Sequence, residues 1–486
     1  MTLQERISQW VDAHEAELIR DIGRLVAVKS VRGEPGPDAP FGPGPRAALD
    51  EALTLCSEYG FSTALYGGAV GTADMNALPA RVDILGHLDV VAEGAGWDTP
   101  PYEAVLKGDG CLYGRGTDDD KGPIVMALFA MRCVRELGLP LRHGCRLIMG
   151  TDEESGSADL PYYYSEHAPA PNTFTPDTGF PVYNVEKGMY RPVVTRTWAD
   201  EEVLPRVASI DGGFRINVLP SDARASVLGL DAAEVLKYGG AAASRCGVVL
   251  SACDMKGGAE LSVHGRQAHA ASPWEGVNGI TALLEVLSSL PLADCESTRA
   301  VRALAAAFPH GDWRGEACGI AQKDGLSGEL TLSFDLLSLG ACGLEARLDG
   351  RVPICADEGN CRAPFEAKLG GLGFTVEGGM APAHHTPAEG EFVSTLLGCY
   401  EAYTGRKGEC LATGGGTYVH DIEGGVAFGA GMPDFASNLH GANERINIRD
   451  SLTACKIFAL AIAELCGDKG EEKERWSQET RTGRSW

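Results

Sequence analysis

Over the first thirty positions apolar residues recur at the three-and-four spacing of a helix with one buried face, which predicts helix from roughly Thr2 to Ser30. The Gly/Pro-rich piece from Arg32, RGEPGPDAPFGPGP, interrupts that period and predicts a loop. Helical spacing resumes from about Ala47 to Gly60. Short apolar runs near Ala80 to Gly86, Cys145 to Gly150 and Thr173 to Thr175 read as strands, with a long helix from about Gly122 to Leu137 between the first two. Strands alternating with helices in this way predict a sheet covered on both faces.

After Gly188 the pattern changes. Short β-rich runs such as ELSVHG and ELTLSFDLL stand among helical pieces such as GITALLEVLSSL and TRAVRALAAAF. The helical, glycine-rich character of the first segment returns near Thr386 and closes with a helix from about Ser451 to Cys466. The expected fold is therefore α/β, with a discontinuous domain made of residues 1–187 and 386–470. Its mixed sheet is covered by helices, and an α+β domain at 188–385, long enough for two subdomains, is inserted in it. Residues 471–486 lack apolar periodicity and read as a flexible tail.

Composition narrows the choices. At 486 residues the chain is too long for one ordinary core. A net charge of -25 argues against nucleic-acid or anionic-membrane partners, both of which need a basic surface. Fifteen cysteines without a CxxC pair read as free thiols in a reducing cytosol. The N-terminus has no signal-peptide pattern, and no apolar run reaches the ~18 residues of a membrane span, so a cytoplasmic protein is expected.

Five motifs carry candidate chemistry. In GHLDVVAEGAGWDTPPY, from Gly86, His87 ends a predicted strand, and Asp89 lies two residues on, where its carboxylate is expected to accept the imidazole N–H. LYGRGTDDDKGP places three aspartates in a glycine-flanked turn before a helix; a solvated acidic turn is the alternative reading. MGTDEESGS sets Glu153 and Glu154 between a buried strand and a Ser-Gly turn. TFTPDTGFP offers Asp177 at another strand end, and FASNLHGANERI offers His440 in a polar turn. Each alone can be structural. Together they form an oxygen-and-imidazole set suited to a dinuclear zinc hydrolase.

In this order the motifs resemble those of the co-catalytic zinc peptidases related to carboxypeptidase G, acetylornithine deacetylase and carnosinase, and most closely the bacterial dipeptidases of the peptidase V type. A sixth segment, VHGRQAHAASPWEGVN from Val263, is similar to the family's lid histidine. The resemblance implies two divalent metal ions, zinc with manganese or cobalt as alternatives, and hydrolysis of small peptide substrates with a free carboxylate through a water held between the ions. Asp119 would bridge them, with His87 and Asp177 on one and Glu154 and His440 on the other. Glu153 would be the general base and Asp89 the orienter of His87. The family also carries a cis peptide after its bridging aspartate, implying one at Asp119-Asp120. The inserted domain would be a lid in which His269 stabilises the oxyanion. Asn217, Arg347 and the glycine run around Gly415 would contact substrate, Arg347 through its carboxylate. A lid of this length implies a monomer. Where the dipeptidases continue the Gly-Gly-Thr-Tyr segment with a small residue and then arginine, this chain has Val419-His420. An N-acyl amino acid deacylase using the same centre and a catalytically silent binding relative are the alternative functions.

Overall fold

The computed structural model describes residues 1–467; the expected tail at 471–486 lies outside them. The chain divides into two compact units. One comprises Met1–Asn184, His385–Leu411 and the chain from Gly416, and the other comprises Val185–His384 with Ala412–Gly415.

The first unit is built on a mixed sheet. Ala80–His87 runs parallel to Gly144–Gly150 on one side and to Asn172–Thr175 on the other. Val426–Ala427 adds a further parallel neighbour, whereas Val70–Asp74 and Ser62–Tyr66 extend the opposite side antiparallel. The central strand is buried on both faces, as parallel strands require. Val82 and Ile84 enter the main core, while Leu85 enters a smaller cluster with Ile148, Tyr163 and Tyr418. The helix Lys121–Glu136 is buried along nearly its whole length, between the sheet and the final helix Ile448–Cys466.

Element ends moved for physical reasons. The expected single N-terminal helix is two, Leu3–Ala13 and Glu15–Val26. A capping box between Thr2 and Glu5 opens the first. His14 closes it, because its ring stacks on Trp10 and its Nδ1 lies 2.6 Å from the Trp10 carbonyl, taking the acceptor that the next helical N–H would use. The next helix begins at Pro43 and not near Ala47, since proline suits a first helical turn. Gly42 before it has φ 105°, and a Cβ there would lie 2.7 Å from Gly33 Cα. The last helix starts at Ile448, three residues before the expected Ser451, because the Asn447 side chain caps it by accepting from the Arg449 and Asp450 N–H groups.

The second unit is organised on a ten-stranded antiparallel sheet. From one edge its order is Val249–Met255, Gly258–His264, Asp222–Leu228, Arg206–Gly212, Thr331–Gly340, Gly343–Val352 and Gly188–Tyr190. Gly258–His264 alternates buried and open positions, the period-two pattern that ELSVHG displays in the sequence. Helices Ala232–Cys246, Gly279–Ser288 and Glu296–Ala307 pack over one half, and Ala363–Gly371 packs beside Thr375–Glu377 in the other. Across the pairing of Thr331–Gly340 with Gly343–Val352 the register shifts between Phe334 and Leu336. That leaves Asp335 as an unpaired, bulged residue.

Candidate metal centre

The parallel strands of the first unit end together, and His87, the glutamate pair and Asp177 lie at or just past those ends, as expected of an open α/β sheet, while Asp119 and His440 come from turns outside that sheet. His87 is the last residue of its strand and is fully buried. The preceding Gly86 is needed where it stands, because a Cβ would lie 2.4 Å from Asp120 Oδ2, the oxygen that accepts the His87 backbone N–H at 3.1 Å. Asp119 occupies the turn into the helix Lys121–Glu136, and the Asp119-Asp120 peptide is cis. Glu153 and Glu154 form a single 3-10 turn after Gly144–Gly150, closed by Gly156 at φ 116°. Asp177 follows Asn172–Thr175, its N–H donating to Thr175 Oγ1 at 3.3 Å. His440, at φ 59°, sits in a polar turn that Gly441 closes by donating to the Asn438 carbonyl.

These segments converge on one point. His87 Nε2 lies 2.8 Å from Asp119 Oδ1 and 3.7 Å from Asp177 Oδ2. His440 Nε2 lies 2.7 Å from Asp119 Oδ2 and 3.1 Å from Glu154 Oε1. His87, Asp119 and Asp177 thus form one triad and Asp119, Glu154 and His440 another, each with ligand atoms within 4.8 Å of one another and with Asp119 common to both.

The chemistry of this donor set fits a pair of cations. His87 Nδ1 is 3.0 Å from the Asp89 carbonyl, which can only accept, so the ring proton belongs on Nδ1. On a neutral ring Nε2 then aims a lone pair at the Asp119 carboxylate, an arrangement that a second ring proton or a metal cation between them relieves. Nε2 and Glu154 Oε1 are buried atoms with no ordinary hydrogen-bond partner. Electrostatics agree. Burial, with neighbouring carboxylates, raises the acid groups of Glu153 and Glu154 above their usual range and pushes Asp177 to about 6. Burial acts the same way on Asp119, but bonding to His440 and His87 outweighs it and holds its carboxyl far below. His440 is pushed up to about 11, burial opposing but Asp119 and Glu154 prevailing.

The surroundings of His87 refine one expectation. The Asp89 carboxylate lies within ion-pair reach of the imidazole, its Oδ1 3.5 Å from His87 Nδ1, but the Asp89 carbonyl is the nearer acceptor at 3.0 Å. The two carboxylate oxygens accept the Glu153 and Glu154 N–H groups, both at 3.1 Å. The strand ends at His87, so the two-apart geometry of an extended chain does not reach Asp89.

The remaining predicted residues belong to the second unit. Asn217, at φ 70°, donates its N–H to Asp335 Oδ2 at 2.8 Å and accepts from Ala270 N at 3.0 Å. That second bond ties it to the short pairing of Val218 with His269. His269 is exposed, and its Nδ1 accepts from Ala271 N at 3.1 Å. Gly415 donates to Thr413 Oγ1. Arg347 is exposed and paired with Glu345 at 2.8 Å. The arginine bonded to the glycine run is Arg351, which is buried, grips Asp349 through Nε and Nη2, and donates through Nη1 to the Gly414 carbonyl at 2.7 Å.

Sequence reasoning passed over several residues around the metal-ligand cluster. Glu444 is fully buried, and its Oε1 accepts from Gly116, Asp118 and Asp119 N–H groups at 2.9, 2.9 and 3.3 Å. Buried Arg115 donates to its Oε2. Tyr418 sets its ring edge-on to His87 at 6.2 Å and its hydroxyl on Asp159. Arg115, Asp120 and Glu444 all lie inside the motifs already singled out. The pairing of Arg115 with Glu444, across more than three hundred residues, has no local signature.

A mixed sheet whose strand ends gather imidazoles and carboxylates into two triads with one common aspartate defines a metal-dependent hydrolase of the dinuclear kind. The sequence signature of Peptidase family M20/M25/M40 matches residues 84–464, and the chain belongs to that family. It is 33% identical to YtjP of Bacillus subtilis (strain 168) over 465 residues, 92% of this chain and 97% of that protein. It is 29% identical to the Beta-Ala-Xaa dipeptidase of Lactobacillus delbrueckii subsp. lactis over 470 residues, 94% and 98% of the two chains. Human carnosine dipeptidase 1 shares the fold at a TM-score of 0.59 and 18% identity, over 96% of this chain and 99% of that one.

Proposed function

We propose that this peptidase hydrolyses dipeptides bearing a free C-terminal carboxylate, using two divalent metal ions at the paired triads, zinc being the first choice and manganese or cobalt the alternatives. The observation that carries the reading is the convergence of His87, Asp119, Glu154, Asp177 and His440 with their lone pairs facing one another. The dipeptidase relative of similar length supports the substrate class.

Two bound ions supply Lewis acidity and a water acidified near neutral pH. The protein's residues do the rest. Glu153, its carboxyl raised by burial, takes the proton of the attacking water and passes it to the leaving amine. Asp89 fixes that glutamate by holding its backbone N–H. His269 donates to the developing oxyanion, and Asn217 and the glycine run around Gly415 bind the peptide backbone. Both arginines carry a carboxylate partner, Glu345 on Arg347 and Asp349 on Arg351, and for the terminal carboxylate we favour Arg351 because it is also bonded to the glycine run. A monomer in the reducing cytosol is part of the same reading, and the fifteen unbridged cysteines are consistent with a reducing compartment.

The test is metal analysis of the purified protein together with turnover of dipeptides, tripeptides and N-acetyl amino acids. Two metal ions per chain and preference for dipeptides are expected. Preference for acetyl amino acids transfers the assignment to a deacylase, and the absence of turnover on every class sinks it.

A further inference from the structure

The two triads meet at Asp119, yet His440 comes from the far end of the chain from the other four candidate ligands, and something must hold the Asp119 turn in register with the His440 turn. One buried ion pair touches both. Glu444 Oε1 collects the N–H groups of Gly116, Asp118 and Asp119, which fixes the backbone of the aspartate turn. Glu444 Oε2 accepts from Arg115 Nη1 at 2.5 Å, and Arg115 Nη2 donates to the carbonyls of His440 and Gly441 at 3.2 and 3.1 Å. The backbones interlock as well, Gly114 N–H donating to the Glu444 carbonyl at 3.0 Å. Trp97 covers the guanidinium at 5.4 Å.

A buried salt bridge is a poor device for stability alone, because well-packed apolar residues of the same volume serve as well or better. What an apolar pair cannot do is accept three N–H groups on one side and donate to two carbonyls on the other. Lysine cannot replace the arginine in this role, since a point ammonium lacks the fork that reaches the carboxylate and the carbonyls together. We infer that Arg115 and Glu444 are positioning residues that register the Asp119 and His440 turns and so set the affinity of the dinuclear centre. The inference rests on the two-metal reading above.

The experiment is titration of the metal-free full-length chain with zinc in competition with a chromophoric chelator, for the parent, Glu444→Gln and Arg115→Lys, with thermal melts of each metal-free protein. Both variants keep the side-chain size and remove half of the hydrogen-bonding pattern. Outer-sphere partners of metal ligands commonly govern affinity by about 10–100-fold. A loss of that size for at least one of the two zinc ions is expected in each variant, with the metal-free melting temperature close to the parent's. If one variant fails to fold, the other decides. Parent-like affinity for both ions overturns the inference, as does loss of the metal-free fold in both variants, which makes the pair a folding element only. A parent that binds neither zinc, manganese nor cobalt removes the two-metal reading itself, and that outcome is distinct from a parent that binds two ions with variants that bind them equally well.

Discussion

In the first unit each candidate ligand is set by its neighbours before anything binds. Asp120 braces the His87 backbone, Asp89 holds both glutamate N–H groups, and Glu444 gathers the Asp119 turn. In the second unit the candidates stand open. His269 is exposed beyond a two-residue strand, and Arg347 is exposed on Gly343–Val352, though a bulged aspartate and a buried arginine tether the backbones near Asn217 and Gly414. The contrast separates two kinds of site. A cluster of buried acids and imidazoles is costly unless cations neutralise it, so it must be rigid and prepaid by the fold. Residues that meet a substrate can stay solvated until it arrives.

The contrast predicts its own sharpest test. Removing metal with a chelator is expected to abolish turnover and to lower the melting temperature of the first unit; zinc at 100 times its Kd restores about 2.7 kcal/mol. A chelated protein that keeps its rate and melting point breaks the comparison at its root. Next in size, Glu153→Gln is expected to lower kcat by about 10²–10⁴-fold, with KM and zinc stoichiometry near the parent's. Loss of bound zinc in that variant instead makes Glu153 a ligand and not a base.

The same contrast explains what the sequence made readable. The five candidate ligands that the structure brings together were legible because each follows a strand or lies in a polar turn inside a motif dense in carboxylates or imidazole, as in DDDKG and DEESG. The inserted unit was visible as a change of period, from helical spacing to short alternating strands. Element ends were missed where side chains intervene: His14 stopping a helix through Trp10, Asn447 starting another. The Asp89 carbonyl comes nearer to the imidazole than the carboxylate does because the strand ends at His87. Arg115 and Glu444 went unseen since each looks like an ordinary surface charge until the fold brings them together.

A smaller effect sharpens the reading of the second unit. Two arginines on one strand are the candidates for the substrate carboxylate, and loss of a charged hydrogen bond is worth about 1.5–3 kcal/mol. Arg351→Ala is expected to raise KM by about 10-fold or more with zinc affinity unchanged, whereas Arg347→Ala leaves KM within about twofold. These expectations follow from the same energy range. The reverse order in the KM values would restore Arg347 and count against the glycine run as the binding site.

The smallest effect concerns Asp335, the bulged residue that accepts the Asn217 N–H. Burial pushes its carboxyl up to about 7, from an ordinary value of 3.8. A raised acid works against folding in its charged form: the unfolded chain gives up the proton near pH 4, the folded chain only near 7, so stability falls as pH rises through that window. Asp335→Asn removes the titration and keeps a carbonyl to receive the Asn217 N–H. Thermal melts from pH 4 to 8 are therefore expected to show the parent losing ground to the variant as pH climbs, by a few degrees, since 1 kcal/mol moves a unit of this size by about 2–4 °C. A gap between the two that does not change with pH means that Asp335 keeps the same protonation state folded and unfolded. The bond to the Asn217 N–H would then be made in the same protonation state across that pH range.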